Sequence, residues 1–164
     1  MEFTLEQLDD FLGRAALATY AGGGPENDPE TPGFKELEYE EGDWHYRDSY
    51  CGFFQSWGRE VVWYKNKPVW VSLYGGGMEE KYRTDGEFTH HAFQFLKKAL
   101  SAGEKQKAFQ PRGPKALQDG EWKYVCNWNG DIKKFSGREE ILYKNEIVFT
   151  HDFIGGLAEY KNKN

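Results

Sequence analysis

A near-repeat at a constant spacing constrains the fold of this chain more than any other feature of the sequence. The segment GREVVWYKNKPVWVSLYGGGM (58–78) aligns without a gap to GREEILYKNEIVFTHDFIGGL (137–157), at an offset of 79 residues. Nine of the 21 aligned positions are identical. A pattern that occurs twice in one short chain predicts two copies of one structural unit.

Each half of the chain also contains one helical pattern. Apolar residues recur three or four positions apart, which is typical of a helix with one buried face. Both stretches follow a pair of residues at capping-box spacing. We expect the first helix to end near Tyr20, where a loop rich in glycine and proline begins. The two apolar stretches are 5–15 and 88–99, and the capping pairs are Thr4 with Gln7 and Thr84 with Glu87.

An aromatic strand pattern precedes each copy of the repeat. In DWHYRDSYCG (43–52) and EWKYVCNWNG (121–130), aromatic and polar residues alternate. This period of two predicts a strand with one buried face.

The repeated segment itself predicts a hairpin of two strands. Two β-rich runs are joined at Lys65-Asn66 in the first copy and at Lys144-Asn145 in the second, and asparagine favours tight turns. We expect the triple glycine at 75–77 to end the last strand of the first copy.

Together these patterns predict an α+β fold. The unit is one helix plus three strands, duplicated internally, with antiparallel sheet and two main helices about a pseudo-twofold axis. One such unit exposes an apolar sheet face, so two units are expected to share a core. We assign a single domain to residues 1–164, with internal repeats at roughly 4–78 and 84–157.

Composition narrows the class of partner and the compartment. The net charge of −6 disfavours direct binding to nucleic acid. No apolar run is long enough to span a membrane and the N-terminus is acidic, so we predict a cytoplasmic protein with no membrane partner. Cys51 and Cys126 match no metal-binding spacing and are expected to be reduced thiols.

Asp48 is the most unusual residue of the aromatic strand. It shares a strand face with Tyr46 and Tyr50, whereas the aligned position of the second copy is the neutral Cys126. A carboxylate among rings is costly unless it is hydrogen-bonded, paired or protonated. One interpretation is a structural hydrogen bond to a tyrosine or to the backbone. The other is a site for a ligand that is cationic or donates hydrogen bonds.

A second pair of acids occupies equivalent positions in the two copies. Glu60 and Glu139 each follow an arginine, Arg59 or Arg138. They could converge on one cleft, as paired carboxylates do in acid–base catalysis. The alternative is an ordinary salt bridge to the neighbouring arginine.

The histidines and glycines give little information about function. His90 and His91 are adjacent and so point in different directions on a helix, which does not suit a metal site. His151 aligns with Ser72 in the repeat. The glycine clusters lack the spacing of a phosphate-binding loop. We therefore predict no metal and no cofactor.

The chain resembles a bacterial family described as a domain of unknown function, DUF5680. The resemblance extends over about residues 8–156 and rests on FLGRAALATYAGGG, ELEYEEGDWHYRDSYCG, the first copy of the repeat, FLKKAL, PRGP and FSGREEILYKNEIVFTHDFIGG. Members of that family occur alone or behind a helix-turn-helix domain. The resemblance implies no established activity and therefore no catalytic residues.

The leading functional hypothesis is a sensor-like module that binds a small molecule, and catalysis is not the favoured interpretation. Effector domains commonly follow DNA-binding domains, and this analogy motivates the hypothesis. One alternative is a hydrolase-like or isomerase-like enzyme that uses Asp48, Glu60 and Glu139. Another is a protein-interaction or dimerisation module. A homodimer is possible under each of these hypotheses. The candidate ligand-binding residues are Tyr46, Asp48, Tyr50, Glu60, Tyr64 and Glu139.

Overall fold

The computed structural model describes residues 2–103 and 109–161, and these form two α-helices packed on one antiparallel sheet of eight strands. The predicted α+β class is confirmed. The helices are α1 (Leu5–Ala18) and α2 (Gly86–Gly103). The strands are β1 (Lys35–Glu41), β2 (Trp44–Gly52), β3 (Gln55–Tyr64), β4 (Lys67–Met78), β5 (Ala116–Asp119), β6 (Trp122–Asp131), β7 (Lys134–Tyr143) and β8 (Glu146–Leu157), with a short 3₁₀ turn at Glu80–Tyr82.

The sheet consists of two four-stranded meanders that meet at their last strands. The strand order is β1-β2-β3-β4-β8-β7-β6-β5, so β4 and β8 form the centre and β1 and β5 form the edges. Within the central pair, Trp70 lies opposite Leu157 and Met78 lies opposite Phe149. The internal duplication and the pseudo-twofold axis remain predictions.

Each meander has one strand more than the predicted unit of one helix and three strands. The additional strands are β1 and β5, which pair with β2 and β6 respectively. Strand β1 has the sequence KELEYEE, and glutamate and lysine have low strand propensity. Strand β5 has only four residues, ALQD. Both are edge strands, where short length and charge are common because they discourage pairing with another chain.

Both helices begin at a capping residue, and one of the two predicted caps is one residue away from its observed position. Thr4 and Gln7 form the predicted capping box, with Gln7 N donating to Thr4 Oγ1 at 3.1 Å and Thr4 N donating to Gln7 Oε1 at 2.8 Å. Helix α1 ends at Ala18, two residues before the predicted end. The predicted cap of the second helix at Thr84 is wrong. Asp85 takes that place, because its Oδ1 accepts from Phe88 N at 2.9 Å.

The hairpin turns are confirmed, whereas the triple glycine does not end a strand. Lys65 and Asn66 have φ of 49° and 61°, and Lys144 and Asn145 adopt similar positive values. Two consecutive left-handed residues make the turn that fits the twist of a hairpin. Residues 75–77 continue β4 and pair with both β3 and β8. Glycine is needed there because the side chain of Trp57 lies over the backbone of residue 75.

Both helices cover the same face of the sheet. Phe11 of α1 stacks on Trp44 of β2 with ring centroids 5.2 Å apart, and Phe88 of α2 stacks on Trp122 of β6 at 5.4 Å. The pairing register places Trp44 and Trp122 on one face, which also carries Asp48. The aromatic faces predicted for the two strands therefore form the covered side of the sheet. Neither helix, over its described residues, is long and apolar enough to cross a membrane.

Candidate functional site

A cavity of about 740 Å³ lies between the helices and the centre of the sheet. Its walls come from α1, from α2, from residues 109–112 and from strands β2, β3, β4 and β8. We call this cavity the cleft. The side chains from the sheet that line it are Tyr46, Asp48, Tyr50, Ser56, Glu60, Trp70, Tyr74 and His151.

Asp48 and Glu60 are direct neighbours across strands β2 and β3. Their backbones pair in register, so both carboxyl groups point from the same face of the sheet into the cleft. The hydroxyl of Tyr74 donates to Asp48 Oδ1 at 2.7 Å, and the hydroxyl of Tyr46 donates to Glu60 Oε1 at 3.1 Å. Each acid is thus held by a tyrosine, as the structural interpretation of Asp48 expected. The same contacts also place both acids in the cleft wall.

Arg112 is a buried cation in the wall of the cleft. Its side chain is only 7% exposed, and it enters from the segment that follows α2. It contacts Glu139 Oε1 at 3.0 Å and Glu60 Oε1 at 3.5 Å, and its guanidinium lies 4.5 Å from the centre of the Tyr74 ring. Glu60 and Glu139 therefore converge on one arginine, although neither contacts the adjacent arginine that the sequence suggested. Arg138 instead pairs with Asp152 at 2.7 Å.

Glu139 is an ionised carboxylate at the centre of a polar network. Its side chain is fully buried and accepts from the Tyr124 hydroxyl at 2.7 Å, from Arg112 and from the His151 ring. Burial alone would raise the pKa of Glu139, but the charge of Arg112 and the bonds from His151 and Tyr124 lower it to about 2. This acid is already satisfied by protein groups.

Asp48 has the opposite electrostatic environment. Burial, together with the nearby charge of Glu60, raises the pKa of Asp48 to about 7, and the bond from Tyr74 and the charge of Arg112 oppose this only in part. Burial also raises the pKa of Glu60, against the charge of Arg112. Among the described residues, the one cation beside these two adjacent acids, Arg112, pairs with Glu60. The two acids cannot both ionise cheaply, so Asp48 holds a proton over much of the range below neutral pH.

His151 lies deeper in the same wall. Its Nδ1 is 3.2 Å from Glu139 Oε1 and its Nε2 is 3.1 Å from Ser56 Oγ. Burial lowers the pKa of His151, although Glu139 acts in the opposite direction. The imidazole is therefore neutral at pH 7, and it connects the ionised Glu139 to a hydroxyl in the cleft.

The structure separates the six candidate residues into two groups. Tyr46, Asp48, Tyr50 and Glu60 line the cleft. Glu139 lies behind Arg112 and outside the lining, and Tyr64 packs between Trp44 and Phe3 at the far end of the hairpin. The described residues contain no cluster of three His, Cys, Asp or Glu side chains arranged for a metal ion.

Sequence reasoning missed Arg112 and gave no role to His151 or Ser56. The only local signal for Arg112 is its position between two prolines in PRGP, which restrict the backbone around it. His151 and Ser56 belong to strands that are separated by β4, and no short-range pattern reports their contact.

Gly76 allows Ser56 and His151 to meet. It lies opposite Ser56 on one side and opposite His151 on the other, with φ of 138°. A Cβ at this position would fall 2.3 Å from the backbone oxygen of Thr150. We expect Gly76→Ala to lower the free energy of unfolding by about 1–3 kcal/mol or more, measured by urea denaturation.

Gly13→Ala is the control for that substitution. Position 13 lies inside α1, and a Cβ there meets no atom within 4 Å. Alanine in a helix interior is expected to stabilise by about 0.5–1 kcal/mol. An equal effect of the two substitutions would show that Gly76 is not required by its conformation.

Comparison with known proteins gives a family and no described function. A family model described as a domain of unknown function (DUF5680) matches residues 48–158. This region includes β3, β4, β8 and the second part of β2, and it leaves α1 and Tyr46 outside the matched range. Searches of curated proteins and of solved structures found no match.

Proposed function

Because the chain belongs to the DUF5680 family, a domain of unknown function, we propose a function from the cleft itself: it binds a small molecule that carries an ammonium, amidinium or guanidinium group. The observation that carries the proposal is Asp48. It is a buried acid in a cavity wall, and among the described residues its side-chain donor is a neutral tyrosine, not a cation.

The size and lining of the cleft are those of a ligand site. Pockets for small molecules commonly enclose about 300–1,000 Å³ and combine apolar walls with a few polar groups. The cleft has about 740 Å³, and the rings of Trp70 and Phe93 contribute apolar wall beside the acids. A molecule of metabolite size fits this volume.

The charges near the cleft leave a place for a ligand cation. Arg112 contacts Glu60 and Glu139, so its single charge serves two carboxylates. Asp48 is a third acid, and its hydrogen-bond donor is the neutral hydroxyl of Tyr74. A ligand ammonium beside Asp48 would replace the missing charge, and the rings of Tyr46 and Tyr50 favour a cation through their negative faces.

A second group near the cleft also favours a hydrogen-bond donor. Gln110 lines the cleft, and its Oε1 is buried with no donor among the residues that the structure describes. A buried acceptor without a partner costs free energy, which a donating ligand would recover. Asp48 and Gln110 thus favour the same ligand chemistry.

A thermal-shift screen of amines, amidines and guanidines, each paired with a neutral isostere, tests the proposal. At a concentration 100 times the dissociation constant, a ligand adds about 2.7 kcal/mol to the stability of the folded state. At pH 8, where Asp48 is ionised, we expect cationic hits to stabilise the wild type and to lose most of this effect with Asp48→Asn.

Asp119→Asn is the matched control for the screen. It removes one negative charge from an exposed residue of β5 that pairs with Lys98, outside the cleft. Hits should stabilise this variant as they do the wild type. Equal stabilisation of the wild type and the Asp48→Asn variant by every cationic hit would rule out the role of Asp48.

The affinity of the wild type for a cationic ligand should also depend on pH. A cation that binds beside the ionised form of Asp48 must displace the proton that this acid holds below about pH 7. Apparent affinity should therefore rise between pH 5 and pH 8, by about tenfold for each pH unit at most. Affinity that is constant over this range would exclude Asp48 as the charged contact.

A further inference from the structure

Three side chains from the middle of the sheet form a relay that ends in the cleft. Ser56 belongs to β3, His151 to β8 and Glu139 to β7. The two hydrogen bonds use opposite nitrogens of one imidazole, Nε2 toward Ser56 at 3.1 Å and Nδ1 toward Glu139 at 3.2 Å. This order of hydroxyl, imidazole and carboxylate is the arrangement that activates a serine in acyl transfer.

The position of the relay suits a nucleophile. Ser56 and His151 line the cleft, whereas Glu139 is fully buried behind them. A substrate in the cleft would therefore reach the hydroxyl but not the carboxylate. Strands hold all three side chains, so their mutual geometry is set by the sheet and does not depend on a loop.

We propose that Ser56 is a nucleophile toward small carboxylic esters, with His151 as its general base and Glu139 as the positioning residue that orients the imidazole. The inference rests on the cleft being accessible to small molecules, as the proposed function requires. It adds a reaction that ligand binding alone does not imply.

The reaction balances with water as the co-reactant. Ser56 Oγ attacks the ester carbonyl carbon while its proton passes to His151 Nε2, and the bond to the leaving alkoxide then breaks as that proton is returned to it. Water next attacks the acyl carbon on Ser56 and loses a proton to His151. The bond from that carbon to Ser56 Oγ then breaks as His151 returns the proton to Oγ. The products are a carboxylic acid and an alcohol, and the serine is restored.

Arg112 is the charged donor available beside the relay. Its Cζ lies 4.5 Å from the centre of the Tyr74 ring. The centre of the His151 ring lies 5.5 Å from the same point, so both groups pack against Tyr74. A cation there favours the negative oxygen that develops on the attacked carbonyl.

Covalent labelling by a small alkyl fluorophosphonate tests the proposal without knowledge of the substrate. This probe reacts with an activated serine by forming an oxygen–phosphorus bond and releasing fluoride. We expect intact-mass spectra of the folded wild type to show one adduct, and peptide mapping to place it on Ser56. Ser56→Ala should prevent the adduct, and Ser136→Ala, an exposed serine of β7, should not.

Two further variants separate catalysis from structure. His151→Gln should slow labelling by about 100-fold or more, because general-base catalysis contributes about 10²–10⁴. Glu139→Gln should move the pH midpoint of the labelling rate downward, because the carboxylate raises the pKa of His151 and the amide does not. A loss of stability alone would not shift that midpoint.

The wild-type result decides the proposal even if a variant fails to fold. No adduct on Ser56 of the folded wild type would overturn it, as would labelling at an unchanged rate in a folded His151→Gln variant. The proposed binding function fails separately: cationic hits can bind through Asp48 without any adduct on Ser56, and an adduct can form when no cation binds.

Discussion

Replacement of Arg112 by methionine is expected to lower the free energy of unfolding by about 3–5 kcal/mol at pH 7. Arg112 is almost fully buried and contacts Glu60 and Glu139. Its removal leaves two buried carboxylates without the cation that compensates them. Chemical denaturation in urea measures the change.

Arg138→Met is the matched control for this prediction. Arg138 also forms an ion pair, with two bonds to Asp152 at 2.7 and 2.8 Å, but both side chains are more than half exposed. Solvent screens such a pair, so its loss should cost under about 1 kcal/mol. The double variant with Arg112→Met and Glu139→Gln should recover part of the loss, because it also removes one unpaired charge. A cost for Arg112→Met no greater than for Arg138→Met would refute the account of Arg112.

Asp48→Asn is expected to raise the free energy of unfolding by a few kcal/mol at pH 8, opposite to the effect of Arg112→Met. The pKa of Asp48 is about 7 in the folded state and 3.8 in the reference state. Between these values the folded state keeps a proton that the unfolded state has lost, so wild-type stability falls as pH rises. Asparagine is neutral at every pH, and its side-chain oxygen can accept the bond from Tyr74.

The pH dependence of the difference between the two proteins is the informative measurement. Below about pH 4, where Asp48 is protonated in both states, the stabilities of wild type and Asp48→Asn should be similar. The advantage of asparagine should grow through about pH 7 and then level off. Tyr74→Phe should move the midpoint upward, because the bond from Tyr74 lowers the pKa of Asp48. An Asp48→Asn variant less stable than wild type at pH 8 would show that the acid is compensated by a charge.

Much of the fold follows from local patterns in the chain. The period of 3.6 in 5–15 and the alternation in 43–52 predicted α1 and β2, because each element must bury one face. The Lys-Asn pairs predicted both hairpin turns. Strands β1 and β5 were not predicted, because an edge strand needs only one partner and can be short or charged and still pair.

The site was predicted in part, because only some of its contacts are local in the chain. The positions of Asp48 and Glu60 in the cleft wall follow from strand alternation combined with hairpin register. The contact of His151 with Ser56 depends on the pairing of β4 with β8, which no hairpin connects. Arg112 comes from an irregular segment, whose course depends on tertiary packing.

The proposed functions make different demands on the same cleft. A binding module needs Asp48 to ionise when a cation arrives, and an esterase needs His151 to remain neutral beside Ser56. The pKa of Asp48 near 7 and the lowered pKa of His151 are compatible with both at neutral pH. The binding proposal is central, because an esterase also requires a small molecule to enter the cleft.

A crystal structure of the protein with its strongest cationic hit from the thermal-shift screen, at pH 8, tests the binding proposal most directly. We expect density for the ligand between α1 and the sheet, with its charged nitrogen within hydrogen-bond distance of an Asp48 carboxylate oxygen. Ligand density at another surface, with the cleft occupied only by water and Asp48 still bonded only to Tyr74, would contradict it.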